Sequence, residues 1–338
     1  KNNLTNMNRI EQGVLYTGKA TSLRGKLLIL FVLLISYSLP SYADDSQLNV
    51  LLLHTPDNRL HNAIAQKLSV TLSYRLDDVD ILSTSNAAYD ENRINEKTLV
   101  IAIGIESITT ASEKFPRNDK LLIASSPGNI KQRSKKGKDS ATLFITQPYC
   151  RQISFIKNLN PEWKDIGIIF SKDSTLDQKR FESCASTYDL TAHITRLSRS
   201  DKLTETLKQV LSKTELLLAQ PDYEIYNSKS VKNILLTSYR MRKPVIAFSK
   251  SFSKAGALAS IYSTPAQIAD TATSLIADYI VEGRHFDQPI SFPQEFEISI
   301  NRQVFRALDI DIPDTEKLKR SIMDSKNTRI PVHKRSWQ

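Results

Sequence analysis

The stretch LNVLLLHTPDNRLHNAIAQKLSVTL, residues 48–72, contains a strand, a turn and a helix in succession. Residues 48–53 are a nearly continuous apolar run, which predicts a strand that is buried on both faces. Polar residues 54–58 predict a turn. Beyond the turn Leu60, Ile64, Leu68 and Leu72 recur every four residues, which predicts a helix with these side chains on its buried face. The stretch is therefore a β-α unit.

The same unit recurs along the chain. Further short apolar runs lie at residues 79–82, 99–103, 121–124, 143–145, 166–170, 190–195, 216–219, 245–248, 257–262 and 296–300. Helical stretches separate most of them, and this alternation favours parallel sheets covered by helices on both faces. Because 338 residues are more than one core usually holds, we predict an α/β protein with two doubly wound parallel-sheet lobes, a hinge and a cleft between the lobes.

The clearest single helix is predicted at residues 265–282. Thr264 stands at the N-cap and Gln267 three residues later, which is the spacing of a capping box. Pro265 occupies the first helical position, and Gly283 supplies the stop.

The net charge of +10 comes from the two ends of the chain. Residues 1–43 contain five Lys and Arg against one Glu, and residues 317–338 contain seven against one Asp. The body between them is close to neutral, so we expect no nucleic-acid partner. Residues 315–338 are predicted to be a basic tail, mobile from Lys317 onward.

A leader is predicted at residues 1–43. An apolar run begins at Leu27 behind Arg24 and Lys26, and the small-x-small tripeptide ends at Ala43. This order is typical of a cleaved signal peptide and predicts a periplasmic protein. An uncleaved anchor is the alternative, although the apolar run of about 13 residues is shorter than the roughly 20 that span a bilayer.

Cys150 and Cys184 are the only cysteines of the chain. In an oxidising compartment they can pair, and two free buried thiols explain their number as well.

Sequence signatures of catalysis are absent. The chain contains no G-x-S-x-G, H-E-x-x-H, phosphate-loop or C-x-x-C motif. His54 and His61 share one β-α junction seven residues apart, and we interpret them as surface or pocket residues rather than metal ligands. We therefore expect a protein that is not an enzyme and needs neither a cofactor nor a metal.

Polar residues follow several strands at their carboxyl ends, where open α/β sheets bind ligands. The candidate ligand-binding residues are His54, Thr55, Gly104, Glu106, Ser107, Ser125 and Ser126 in the first lobe, and Ser171, Asp222, Tyr223, Ser249 and Tyr262 in the second. Many of these residue types also cap helices, so each position allows both interpretations.

Four segments resemble a known family. They are Pro244-Val-Ile-Ala-Phe-Ser249, Ala255-Gly-Ala-Leu-Ala259, Asp278-Tyr-Ile-Val-Glu-Gly283, and Asn301 with Ala307-Leu308 and Ile312-Pro313 after it. Together they are similar to ABC-type substrate-binding proteins of the tryptophan/tyrosine-uptake kind, which have the type I periplasmic binding fold. The resemblance is good from about residue 216 to residue 313 and fainter in residues 48–104.

The resemblance implies lobes joined by three crossovers and therefore discontinuous in sequence. Residues 44–146 with 264–288 would form the first lobe, and residues 147–263 with 289–314 the second. A small-molecule ligand would bind between them. Family members that bind aromatic amino acids carry Pro-x-Asp-Asn after a second-lobe strand, and here Pro221-Asp222-Tyr223 keeps an acid that could meet an ammonium group. At the family's Gly-Thr-x-Ala position, Gly104-Ile105-Glu106-Ser107 adds an acid.

The function implied is that of a periplasmic solute-binding protein. It would deliver a small molecule, an amino acid or a related amine, to the inner-membrane permease of an ABC transporter, and we expect a monomer. The alternative is a periplasmic ligand-sensing or adaptor subunit for a membrane signalling or outer-membrane receptor system. Fold alone does not separate these two functions.

Overall fold

The structure is a computed structural model, and it describes residues 48–55, 57–76, 78–85, 91–124, 139–172, 174, 177–197 and 202–325. The predicted leader lies outside the described residues. Within them the chain forms two sheets of six strands each, with helices packed on both faces. The predicted fold class, α/β with two lobes, is confirmed.

The first lobe is built on an all-parallel sheet. Its strands are β1 (Leu48–His54), β2 (Val79–Ser85), β3 (Leu99–Ile103), β4 (Lys120–Ala124), β5 (Ser140–Phe144) and β11 (Ile290–Ser291), in the order β11-β5-β4-β3-β1-β2. The helices of this lobe are α1 (Arg59–Arg75), α2 (Ile105–Lys114) and α8 (Pro265–Val281), with a short 3-10 helix at Glu91–Arg93.

The second lobe repeats the plan with one antiparallel edge. Its strands are β6 (Asp165–Ser171), β7 (Thr191–Leu197), β8 (Leu216–Leu218), β9 (Val245–Ala247), β10 (Ala259–Tyr262) and β12 (Glu297–Ile300), in the order β12-β10-β9-β8-β6-β7. Only the β10–β12 pair of this sheet is antiparallel. The helices are α3 (Tyr149–Leu159), α4 (Gln178–Thr187), α5 (Leu203–Leu211), α6 (Val231–Arg240), α7 (Lys250–Ala255), α9 (Arg302–Ala307) and α10 (Thr315–Asp324).

Strand β1 shows why its sequence is apolar at almost every position. Val50 and Leu52 pack on the side of α1 and α8, whereas Leu51 and Leu53 pack on the side of α2. Successive side chains of a strand point to opposite faces, so a sheet covered on both faces needs apolar residues without alternation.

The start of α1 differs from the prediction. The apolar spacing placed Leu60 on the buried face, but its side chain is 38% exposed and His61 is buried instead. Asn58 caps the helix by accepting hydrogen bonds from the backbone N–H groups of Leu60 and His61. The buried face then runs through residues 61, 64, 65, 68 and 72, which follows the helical period more closely than steps of four.

The N-terminus of α8 is as predicted. Thr264 N–H donates to Gln267 Oε1 at 2.9 Å, and Gln267 N–H donates to Thr264 Oγ1 at 3.2 Å. These two bonds complete a capping box.

The third boundary between the lobes lies later than expected. Strand β11 pairs with β5, with Ile290 opposite Thr142 and Ser291 opposite Leu143, so the first sheet extends to Ser291 rather than ending at residue 288. A strand of two residues is too short to leave an apolar run in the sequence. The chain therefore crosses between the sheets at residues 145–148, 263–264 and 292–296.

The prediction of a tail that is mobile from Lys317 is wrong for the residues through Ser325. Residues 315–324 form α10, whose Leu318 and Ile322 side chains are 5% and 0% exposed in the core of the second lobe. Asp314 caps this helix by accepting from the N–H groups of Glu316 and Lys317. The two apolar residues are four positions apart and therefore share one face of the helix. That face is buried although most of the surrounding residues are charged. Residues 326–338 lie outside the described residues.

The two cysteines pair. Cys150 of α3 and Cys184 of α4 form a disulfide with Cα atoms 4.9 Å apart. The bond joins the helix that follows the first crossover to its neighbour in the second lobe, and it decides the alternative that the sequence left open.

None of the helices in the described part of the chain has the length and apolar character needed to cross a membrane.

Candidate functional site

The carboxyl ends of both sheets lie beside the crossovers. Strands β5 and β11 of the first sheet and β10 of the second run directly into a crossover, and each is parallel to its sheet neighbours on the inner side. Strand β12 returns antiparallel, with Glu297 opposite Tyr262 at the carboxyl end of β10. Since all three connections leave or enter at these edges, the polar residues that follow the strands lie on the side of each sheet where the crossovers run.

Two histidines and a glycine lie together at the first-lobe edge. His54 is the last residue of β1, and Gly104 is the residue between β3 and α2. The ring of His61 packs on Gly104 so closely that a Cβ there would lie 2.1 Å from His61 Cε1. Gly104 has φ 87° and ψ 163°, a conformation that is essentially reserved for glycine. The glycine therefore makes room for the imidazole.

The polar atoms of this group are poorly satisfied. Nδ1 of His54, Nδ1 of His61 and Oγ of Ser107 are buried without a hydrogen-bond partner among the described residues. Most buried polar side-chain atoms in folded proteins have a partner, and an unpaired one costs about 1–3 kcal/mol. Three such atoms near one strand edge indicate a place where another molecule could supply hydrogen bonds.

Burial and two neighbouring titratable groups shift the pKa of His61. Burial lowers the pKa of His61, and the nearby imidazole of His54 lowers it further, whereas the carboxylate of Glu106 raises it. Burial is the largest of these effects, so the pKa lies below its ordinary value and the ring is neutral at pH 7. A neutral imidazole has one donor and one acceptor nitrogen, so it can bind either kind of ligand group.

The second-lobe edge centres on Asp222, which is 8% exposed. Its Oδ2 accepts from the backbone N–H of Ser171 at 2.8 Å, and its Oδ1 accepts from the N–H of Glu224 at 3.1 Å. The carboxylate thus joins the end of β6 to the turn after β8. Each carboxylate oxygen has two lone-pair sites, so both oxygens retain capacity for a further donor.

Other predicted residues have local structural contacts. Ser249 caps α7, accepting at Oγ from the N–H of Phe252 at 3.3 Å. Tyr262 is half-buried beside Glu297, and burial first, then that carboxylate, raises its pKa. Tyr223 is 58% exposed, and Thr55, which directly follows β1 in the chain, is half-buried.

Ser125 and Ser126, predicted at the end of β4, lie outside the described residues. Their role as ligand contacts stays a prediction.

Sequence reasoning did not include His61 in the site. Two signals were available. Residue 61 lies two helical turns before the buried Leu68 and so on the same face of α1, and it follows His54 by seven residues. Sequence reasoning also missed a group of buried polar residues in the first crossover, in the first turn of α3 and in the turn after β8: Gln147, Arg151, Gln152 and Gln220. Polar residues at these positions carry no motif that distinguishes them from exposed ones.

The described residues contain no group of three or more His, Cys, Asp or Glu side chains that could hold a metal ion.

Two parallel-sheet lobes joined by three crossovers, with polar strand ends beside the crossovers, define a protein of the type I periplasmic binding fold. The chain belongs to the ABC transporter substrate-binding protein family, whose model matches residues 130–321, more than half of the chain. The family resemblance found in the sequence is thereby confirmed. No curated protein matched the chain in a sequence comparison.

Solved structures share the fold. A domain from Streptococcus pneumoniae solved in complex with L-Trp is 18% identical, with a TM-score of 0.57, and the match covers 81% of this chain and 98% of that one. A ligand-free, open substrate-binding protein with adhesive properties from Clostridium difficile is 17% identical, with a TM-score of 0.59 and coverages of 79% and 97%. A conserved domain protein from Vibrio cholerae is 15% identical, with a TM-score of 0.57 and coverages of 81% and 98%. At these identities the likeness extends to the fold.

Proposed function

We propose that this protein is an exported solute receptor that binds a small, amine-bearing molecule between its lobes and delivers it to the permease of an ABC transporter. The observation that carries the proposal is the set of buried polar atoms without partners on His54, His61 and Ser107. A bound solute would supply the missing hydrogen bonds, and this would offset the cost of burying those atoms.

The chemistry of the ligand follows from the acids at the two edges. Asp222 is buried and already accepts two backbone N–H groups, and Glu106 lies near His61 on the opposite lobe. An ammonium group is attracted by either carboxylate, so we favour an amino acid or a related amine. The fold relative from Streptococcus pneumoniae was solved with L-Trp, which is an amino acid. Ser125, Ser126, Ser171, Tyr223, Ser249 and Tyr262 stay proposed contacts of the same ligand.

An oxidising compartment fits the Cys150–Cys184 disulfide, because such bonds persist in the periplasm and are rare in the cytosol. We propose that the leader at residues 1–43 directs export and is removed, and that the mature protein acts as a monomer without catalysis.

Native mass spectrometry of the mature protein, purified from the periplasm without refolding, tests the proposal. We expect a co-purified molecule that is smaller than a peptide and carries an amine. Calorimetry with that molecule then tests Asp222. Asp222→Asn removes the charge but keeps an acceptor oxygen, and we expect a ten- to hundredfold loss of affinity, about 1.5–3 kcal/mol.

Asp314→Asn is the matched control. Asp314 also accepts two backbone N–H groups, but it caps α10 and is not among the proposed ligand contacts. Affinity should be unchanged in this variant. If both variants bind as tightly as the wild type, Asp222 does not contact the ligand. If no small molecule binds the wild-type protein, the proposed function is wrong.

A further inference from the structure

Buried polar side chains connect all three crossovers. Gln147 of the first crossover donates from Nε2 to Oγ of Ser263 in the second, at 2.7 Å. Ser263 Oγ in turn donates to the carbonyl of Glu295 in the third, at 2.6 Å. Gln147 and Ser263 are 3% and 8% exposed, so both side chains are buried.

Arg151 adds a second connection. Its Nη1 donates to Gln147 Oε1 at 2.7 Å and to the carbonyl of Pro293 at 2.9 Å, which joins the first crossover to the third. The guanidinium lies 5.0 Å above the ring of Phe296. Burial lowers the pKa of Arg151 to about 10, and Glu295 opposes this effect, so the side chain stays charged at neutral pH. A planar guanidinium binds its acceptors in a fixed arrangement, and it therefore sets the geometry of the groups around it.

The same network reaches the candidate ligand site. Gln220 Nε2 donates to Gln152 Oε1 at 2.5 Å, and Gln152 Nε2 donates to the carbonyl of Gln147 at 2.6 Å. The carbonyl of Gln220 accepts from the N–H of Asp222 at 2.8 Å. A continuous path of hydrogen bonds thus runs from the turn that carries Asp222 to the three crossovers.

We propose that Gln147 and Arg151 are positioning residues that make the three crossovers bend as one unit, and that Gln220 and Gln152 connect this unit to the Asp222 turn. A buried network of this kind is stable when every member is paired and costly when one is not. One crossover cannot shift alone without leaving a buried donor or acceptor unpaired, so the three must move together or exchange partners together. The proposal rests on the proposed function only in that the movement it controls would be closure around a solute.

Hydrogen–deuterium exchange of the ligand-free mature protein tests the proposal, because each crossover carries a hydrogen-bonded amide that can report. Ile145 N–H donates to the carbonyl of Ala124 at 2.9 Å. Thr264 N–H donates to Gln267 Oε1 at 2.9 Å, and Gln294 N–H donates to Thr271 Oγ1 at 3.4 Å. Peptides that contain these three amides report one crossover each.

Arg151→Met keeps an unbranched apolar stem and removes the guanidinium with its hydrogen-bond donors. We expect exchange to accelerate by about tenfold in all three reporter peptides, while peptides from the centres of the two sheets are unchanged. Gln209→Leu, an exposed glutamine on α5, is the control and should change none of them. Acceleration confined to the third crossover, where Arg151 binds Pro293, would overturn the proposal.

Two smaller changes keep the proposal testable if Arg151→Met destabilises the whole protein. Ser263→Ala removes one hydroxyl and should accelerate exchange at both Ile145 and Gln294. Gln220→Leu should accelerate exchange in the Asp222 turn and at Ile145 together. A change limited to the mutated segment in both variants would show that the crossovers move independently. Since no ligand is used, these results do not depend on whether a solute binds.

Discussion

At the scale of single residues, the packing of His61 on Gly104 decides which side chains fit at the carboxyl edge of the first sheet. A side chain at residue 104 would occupy the space of the imidazole, which lies on the buried face of α1. The glycine is therefore needed both for its backbone conformation and for the room that it leaves.

Gly104→Ala should lower the free energy of unfolding more than Gly283→Ala. Both glycines have positive φ, 87° and 71°, but nothing lies within 4 Å of a Cβ at residue 283. We expect Gly283→Ala to cost about 1–2 kcal/mol from backbone strain, and Gly104→Ala to cost about 1–3 kcal/mol more because the ring must move. Urea denaturation measures both.

In a His61→Ala background, the extra cost of Gly104→Ala over Gly283→Ala should be smaller. The clash with the imidazole is then absent, whereas the backbone strain stays. Equal costs for the two glycine variants in the wild-type background would show that His61 does not pack on residue 104.

The pKa of His61 predicts a pH dependence of stability. Burial lowers this pKa in the folded protein, whereas the unfolded chain takes up a proton near pH 6.5. The free energy of unfolding that the lowered pKa of His61 contributes is therefore fully present above about pH 6.5. It is lost as the pH falls towards the lowered pKa of the folded protein.

Urea denaturation between about pH 7 and about pH 5 should thus show a steeper loss of stability in the wild type than in His61→Asn. Parallel curves for the two proteins would contradict a lowered pKa.

At the scale of elements, α10 closes the core of the second lobe. Leu318 and Ile322 are buried against that core, Lys319 Nζ bonds to Glu297 Oε1 at 3.0 Å, and Ser321 Oγ donates to Asn158 Oδ1 at 2.7 Å. Glu297 Oε1 also accepts from Gln267 of α8 at 2.9 Å, so α10 shares an acceptor with a first-lobe helix beside the third crossover.

Ile322→Ala should cost about 2–4 kcal/mol of unfolding free energy, because it leaves a cavity in a buried site. Met323→Ala is the control, since this neighbour on the same helix is 45% exposed and should cost less than about 1 kcal/mol. Thermal or urea denaturation distinguishes the two. Similar small effects would mean that α10 is not docked in solution.

The strands and the long helices could be predicted from sequence, because strands buried on both faces are apolar throughout and α8 carries its own capping residues. The same criterion failed where apolar residues are few or are buried by turns. Ile225 and Tyr226 are apolar and buried, yet they precede helix α6, which begins at Val231, because the turn that Asp222 organises holds them. Helix α10 was missed because its charges outnumber its two buried residues.

The candidate site could be predicted as a set of strand ends, but not as a set of contacts. His54 ends strand β1 and Asp222 follows β8, so their positions follow from topology alone. The contacts of Gln147 with Ser263, and of Arg151 with Pro293, join residues more than a hundred positions apart. Pairings over such separations have no local sequence signal, because they depend on how the two lobes meet.

At the scale of the whole molecule, two sheets share three connections at their carboxyl edges. Solute receptors of this architecture can close by hinge bending, and in the proposed function closure would bring the Asp222 turn towards the edge that holds His54 and Gly104. The proposed ligand would then touch both lobes only in the closed state, so binding and compaction are expected to be coupled.

Small-angle X-ray scattering of the mature protein, with and without the co-purified solute, tests this central claim most directly. We predict that saturating solute decreases the radius of gyration, and that Asp222→Asn needs a ten- to hundredfold higher solute concentration for the same decrease, as its affinity loss implies. A radius that is unchanged at a concentration where calorimetry shows full occupancy would contradict binding between the lobes.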